Sequence, residues 1–147
     1  VVELARAFSA GEPFILSYGD ILIEPGNYSR LVSLGDSEAI ISVKHNPGEI
    51  AKGGAVFVND RFEMTDLREK PGPGEPTSPW YNAGVYTFRA SIFDFTARLE
   101  KSPRGEYELT DAIRNLALSG RKVQAFELAG DWADVRDPEV LAHLNAE

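Results

Sequence analysis

The residues with chemical potential in this sequence lie in short polar elements set far apart along the chain. Gly19-Asp20 follows an apolar run, and Gly53-Gly54 precedes another. Glu69-Lys70-Pro71 closes an extended segment, and Asn82-Ala83-Gly84 interrupts an otherwise apolar stretch. Residues 104–111 (RGEYELTD) and Asp131-Trp132-Ala133-Asp134 complete the set. Carboxylates with one well-placed lysine suit the handling of phosphate through a divalent cation. Mg²⁺ keeps several waters and takes one or two carboxylates plus substrate phosphates. Asp20 lies at the carboxyl end of a strand, where ligands bind in open α/β sheets. It either holds such an ion or satisfies its own turn backbone. Asp134 either supplies a second carboxylate, meeting Asp20 across the sheet edge, or caps a helix.

Lys70 precedes a proline, which biases it away from helix. It can pin a phosphate as a point charge, or form an ordinary surface pair with Glu69. Asn82 offers both a donor and an acceptor, as sugar hydroxyls require. Gly84 inside a strand marks either a bulge or the close approach of a ligand, and Gly54 has the same two readings. Glu106 or Glu108 can join the site, while Asp111 is equally explained by the start of a helix.

Other chemistries lack their signatures. There is no GxxxxGK[ST] loop and no HExxH, and neither His45 nor His143 has ligand-like spacing around it. Ser17 is not in a GxSxG elbow. Trp80, Trp132 and the phenylalanines read as core residues rather than a stacking platform. Cysteine is absent, so disulfides, thiolate metal sites and thiol nucleophiles are excluded.

These residues must be positioned by the apolar segments between them. Residues 13–18 (PFILSY) read as a buried strand ending in a tight turn, with 21–23 as its extension. Glu24-Pro25 suits a helix start, running to about Leu34. Strands are predicted at 38–44, 55–58, 62–67, 80–88 and 122–128, with a turn at 46–48 and a proline-rich surface loop at 71–79. Ile92, Phe95 and Leu99 line one helix face. Thr110 is expected to cap a helix carrying Ile113, Leu116 and Ala117 and ended by Gly120. Asp137-Pro138 is expected to cap a last helix with Leu141 and Leu144 on its face. The alternation, with an antiparallel middle, gives an α/β domain with a mixed sheet.

The 147 residues suit one domain, and 43% hydrophobic content supports a core. The formal charge of −8 repels nucleic acid and anionic membranes, so neither is an expected partner. Phosphate would be repelled too, which again calls for a local cation or a metal. No apolar run approaches the ~20 residues that span a bilayer, and residues 1–8 show no signal-peptide pattern. The expected compartment is the cytoplasm. Val1, Leu4, Ala5 and Phe8 fall on one helix face without a preceding cap, the pattern of a chain cut within a larger fold.

Taken in order, FILSYGDIL, GGAVFV, REKP, YNAGVYTF, RGEYELTDAI and DWADVRDPEVLAHLN resemble the sugar-1-phosphate nucleotidyltransferase family over nearly the whole chain. The resemblance implies a Rossmann-like mixed sheet flanked by helices, of the nucleotide-diphospho-sugar transferase type. It further implies an N-terminally truncated form, with residues 1–147 as one partial domain that binds the sugar phosphate. It implies a Mg²⁺-dependent reaction in which a sugar 1-phosphate oxygen attacks the α-phosphorus of a nucleoside triphosphate and pyrophosphate leaves. Asp20 and Asp134 would be the metal pair, and Lys70 would hold the sugar phosphate. Glu69, Asn82, Gly84 and Gly54 would line the sugar pocket, with Glu108 and Asp111 nearby. Such transfer needs positioning and charge neutralisation more than covalent help.

Two departures stand out. The family's N-terminal strand and glycine-rich loop, which bind the triphosphate, are absent, and their loss would expose apolar surface and a sheet edge. Arg136-Asp137 also replaces the usual glycine-threonine after W-x-D-x. Arg136 would either pair with the metal carboxylate or bind a phosphate. The alternative function is therefore a catalytically incomplete remnant that binds sugar phosphate, or a homo-oligomer covering its exposed sheet edge. A glycosidase using Asp20 and Asp134 is a third reading.

Overall fold

The structure is a computed structural model that describes residues 2–136 and 138–146. Its organising element is the nine-residue strand β6 (Trp80–Phe88). Even positions Tyr86 and Phe88 bury on one face and odd positions Ala83 and Val85 on the other, as the two-residue period of a strand requires. One edge of β6 pairs antiparallel with β3 (Ala39–His45). The other edge is shared. β1 (Phe14–Ser17) takes residues 85–88, and β4 (Gly54–Val58) takes Trp80 and Tyr81. Both are antiparallel to β6. The carboxyl end of β1 and the amino end of β4 therefore face each other across Asn82, Ala83 and Gly84.

The sheet is completed by β5 (Met64–Glu69), antiparallel to β4, and β7 (Val123–Glu127), parallel to β3. This is the mixed α/β sheet the sequence predicts. A separate two-stranded ribbon joins β2 (Ile21–Ile23) to β8 (Trp132–Asp134). Residues 21–23 are thus not an extension of β1. The turn at Tyr18–Asp20 breaks away from β6, and β2 finds its partner over a hundred residues later.

On one face of the sheet, Ile41, Val43, Tyr86 and Phe88 pack on α3 (Ile92–Thr96) and α4 (Leu109–Leu118) through Ile92, Phe93, Ile113 and Leu116. On the other, Ile40, Val85 and Phe126 pack on Leu31 of α2 (Tyr28–Leu31) and on Ile21, Ile23 and Trp132 of the ribbon.

Several local expectations are corrected. Thr110 lies inside α4, not at its cap, and its buried hydroxyl finds no hydrogen-bond partner among the described residues. The helix predicted from Glu24 is a 3-10 turn (Pro25–Asn27) followed by the single turn of α2. The helix begun by Ile92 ends at Thr96, before Leu99. Across the 3-10 turn Val2–Leu4 and α1 (Ala5–Ser9), Leu4 and Phe8 are 80% and 87% exposed, whereas Val2 and Ala5 meet the core. Of the predicted stripe, Ala5 packs on the core, Leu4 and Phe8 do not, and Val1 lies outside the described residues. Leu141 of α5 (Pro138–Leu144) is half exposed. The expected Asp137 cap lies outside the described residues. No described helix is long and apolar enough to cross a membrane.

Candidate functional site

The gap between β1 and β4 along β6 gathers residues from most of the chain. Asn82 lies at its floor with its amide held in place. Nδ2 donates to the Tyr86 hydroxyl at 2.8 Å, Tyr86 Oη lies 3.0 Å from Oδ1, and the Gly84 N–H donates to Oδ1 at 3.3 Å. Strand period explains the first contact, because positions 82 and 86 share a face. Gly54 opens β4 directly over this floor. A Cβ there would sit 3.0 Å from Asn82 Cβ and 3.3 Å from Glu69 Oε2. The predicted trio Gly54, Glu69 and Asn82 is therefore one packed cluster. Antiparallel pairing produces it, since Gly54 is in register with Glu69.

Gly84 sits at a bulge and lets another segment of the chain approach closely. Ile41 pairs with Tyr86 and Val43 with Asn82, so one residue of β3 faces three of β6, which is a bulge. Gly84 takes a φ of +80° there, and a Cβ would lie 3.0 Å from both Tyr18 and Ile21. The bulge brings the Tyr18–Asp20 turn down onto β6, fixed by the Tyr18 N–H donating to the Gly84 carbonyl at 3.0 Å.

Beside the gap, a cavity of about 510 Å³ is lined by Glu69, Lys70, Arg104, Glu108 and Asp111, among others. Burial raises the Glu69 carboxyl above its ordinary value. Arg104 opposes that shift, and the Glu108 charge adds to it. Glu108 accepts from Arg104 at 2.5 Å and from Ser102 at 3.3 Å, which ties the 102–108 loop to the start of α4. Lys70 is exposed but its backbone is not relaxed. It has a φ of +44°, held by its N–H donating to the Gly53 carbonyl at 2.7 Å. A proline-preceding residue is expected in extended conformation, so this left-handed backbone corrects the simple expectation. Such strain costs roughly 1–3 kcal/mol and concentrates where function needs it.

Asp20 and Asp134 come together through the ribbon. Ile21 is in register with Asp134, and the Val135 N–H donates to the Asp20 carbonyl at 2.8 Å. The juxtaposition predicted for these two residues is thus one of neighbouring backbone positions, on the ribbon rather than on the main sheet. Asp134 Oδ2 is 2.6 Å from Arg136 Nε, and Arg136 also donates to the Tyr81 hydroxyl at 3.1 Å. Two carboxylates suit Mg²⁺ in kind and number when phosphates complete the shell, but here a guanidinium already neutralises one of them. No cluster of three or more metal-ligating side chains occurs among the described residues. The ribbon is registered to the floor by Trp132, whose indole N–H donates to the Ala83 carbonyl at 3.0 Å. Buried Asn27 binds both Glu24 and Ala129 backbone atoms and fixes the ribbon's far end.

Three participants escape a reading by residue type. Tyr18 stands between the carboxylates. Burial raises its hydroxyl above the ordinary value and a hydrogen bond with Tyr86 opposes this, while the charges of Glu69, Glu108 and Asp20 push it further up. Tyr86 is fully buried, and desolvation pushes its hydroxyl well up. Arg104 neutralises Glu108. Only Tyr86 had a usable signal, its four-residue spacing from Asn82. His45 stacks edge-on against Trp80, away from this cleft.

Comparison with known proteins shows the family of the chain. The chain is 32% identical over 145 residues to the low-salt glycan biosynthesis nucleotidyltransferase Agl11 of Haloferax volcanii, covering 96% of this chain and 39% of that protein. It is 35% identical over 134 residues to the bifunctional protein GlmU of Methanocaldococcus jannaschii, covering 91% of this chain and 31% of that one. The chain thus spans about a third of the length of these relatives. Its fold is similar to that of a UDP-glucose pyrophosphorylase solved with UDP-glucose, with a TM-score of 0.82 and 20% identity over 99% of this chain and 61% of the other. The Nucleotidyl transferase family model matches residues 2–147. This chain belongs to the nucleotidyl transferase family.

Proposed function

We propose that the chain forms the sugar-phosphate-binding part of a sugar-1-phosphate nucleotidyltransferase, and that the cleft between β1 and β4 receives the acceptor. The observation that carries this reading is the convergence of Gly54, Glu69, Asn82 and Gly84 with Lys70 and Glu108 around one gap in the sheet. Glu69 and Asn82 accept and donate to sugar hydroxyls. The hydrogen bonds of Asn82 and the packing of Glu69 beside Gly54 orient them before the sugar arrives, which lowers the entropic cost of binding. Lys70, which lines the cavity, meets the phosphate. That charge opposes the repulsion from the chain's net −8.

In the proposed reaction, a phosphate oxygen of the sugar 1-phosphate attacks the α-phosphorus of a nucleoside triphosphate, and pyrophosphate leaves. The residues here hold the nucleophile in place and exclude competing water, the main contributions such a transfer needs. Mg²⁺, bound by Asp20 and Asp134, would supply charge neutralisation for the phosphates. That the chain alone binds sugar phosphate without turnover remains compatible with the same cleft.

Lys70→Ala tests the assignment. Sugar 1-phosphate binding, measured by calorimetry, is expected to weaken tenfold or more, while the parent sugar binds as before. Equal losses for both ligands would remove Lys70 from the phosphate.

A further inference from the structure

Asp134 is a partly buried carboxylate, with its side chain 16% exposed, so its charge requires a counter-cation. In the free chain that cation is Arg136, 2.6 Å away. The same guanidinium reaches Tyr81, whose ring packs edge-on against Trp132 at 5.5 Å. It is therefore held between β8 and β6, not loose on the surface. Yet its side chain is 41% exposed, leaving it room to swing out. Arg136 also lines a cavity of about 490 Å³ together with the carboxylates of Glu24, Glu49, Asp131 and Asp134. A divalent ion attracted to this acidic wall meets a fixed positive charge at one of its two proposed ligands.

We propose that Arg136 is a competitor for the metal site, occupying Asp134 until substrate phosphate draws the guanidinium away. This rests on the reading of Asp20 and Asp134 as the metal pair. A planar guanidinium suits both positions, because it pairs with carboxylate and phosphate in the same forked geometry. The consequence is coupling. Divalent ions bind weakly to the free chain, and phosphate ligands strengthen that binding by removing the competitor, a reciprocal linkage between the two sites.

Mn²⁺ is a suitable probe, since its free and bound forms separate by electron paramagnetic resonance. Binding to the wild-type chain is compared with Arg136→Gln, Arg136→Lys, Asp20→Asn, Asp134→Asn and the Arg136→Gln/Asp134→Asn double variant. Each is titrated with and without a sugar 1-phosphate, and circular dichroism and thermal unfolding confirm folding. The expected result is Mn²⁺ binding about tenfold tighter in Arg136→Gln, the loss of one charge-assisted hydrogen bond. Arg136→Lys should fall between the two, and the double variant should lose the gain. Sugar 1-phosphate should strengthen Mn²⁺ binding more in the wild type than in Arg136→Gln. Equal Mn²⁺ affinity in wild type and Arg136→Gln, with loss in Asp134→Asn, would overturn the competition and leave the metal pair standing. Mn²⁺ affinity indifferent to both Asp20→Asn and Asp134→Asn would remove the metal pair itself, and the competition with it.

Discussion

The two halves of the candidate site are built differently. The sugar-side half is part of the main sheet. Gly54, Glu69 and Asn82 sit on three hydrogen-bonded neighbours, β4, β5 and β6, packed so closely that a Cβ on Gly54 would lie 3.0 Å from Asn82 and 3.3 Å from Glu69. The metal-side half rides on the β2–β8 ribbon, which meets the sheet through the Trp132 indole, a few apolar side chains and the bulge at Gly84. In the first half the groups cannot move without repacking the core. In the second a charged side chain can change partners without disturbing a strand. Under the proposed function, this contrast would put preorganisation where a neutral sugar is recognised by hydrogen bonds, and adjustability where charges are exchanged.

The largest expected effect comes from breaking the joint between the halves. Gly84→Ala forces an L side chain into a φ of +80° and against Tyr18 and Ile21. Backbone strain and overpacking each cost ~1–3 kcal/mol, so urea unfolding should show a loss of about 2–5 kcal/mol. A variant of unchanged stability would mean the bulge is not the hinge described here.

A smaller change should loosen one half and spare the other. Trp132→Phe keeps the packing but leaves the Ala83 carbonyl without its donor, at a cost of about 1–2 kcal/mol. Hydrogen exchange of the Val135 amide should accelerate more than that of β6 amides. Uniform acceleration would show that ribbon and sheet open together.

The smallest effect concerns Glu69, whose folded pKa is raised, chiefly by burial. The native state then holds a proton more tightly than the unfolded chain, so stability falls as pH rises from the ordinary carboxyl value through the folded one. Glu69→Gln should raise the melting temperature at pH 7 and change it little at pH 4, while weakening sugar binding. A lowered melting temperature at pH 7 would mean that its ionised form is stabilised by Arg104 beyond the cost of burial.

The sheet half of this account was legible in the sequence because strands announce themselves by alternation. Residues 80–88 place Asn82 and Tyr86 on one face by parity alone, while the nearness of Gly54, Glu69 and Asn82 follows from the family resemblance and not from alternation. The Tyr18–Asp20 turn was visible, but the pairing of residues 21–23 with residues 132–134 was not. Three-residue strands carry too little periodicity, and their partners are distant in sequence. The stripe at Leu4 and Phe8 misled because helical spacing marks a face without saying which face is covered. Thr110 misled because a residue type that favours caps sits two residues past the N-cap position, which Glu108 occupies. Lys70 was found by its place before the proline-rich loop, but its left-handed backbone depends on a tertiary hydrogen bond to Gly53 that sequence does not display. The Arg136–Asp134 pair was among the alternatives open from sequence, and the ribbon's geometry decides it for the free chain.

The measurement that bears most directly on the central claim is calorimetric titration of the purified chain with sugar 1-phosphates and with nucleoside triphosphates, each with and without Mg²⁺. The account predicts saturable binding of a sugar 1-phosphate that Lys70→Ala and Asn82→Ala both weaken. Binding of the triphosphate alone, insensitive to both substitutions, would contradict the assignment of this cleft to the sugar phosphate.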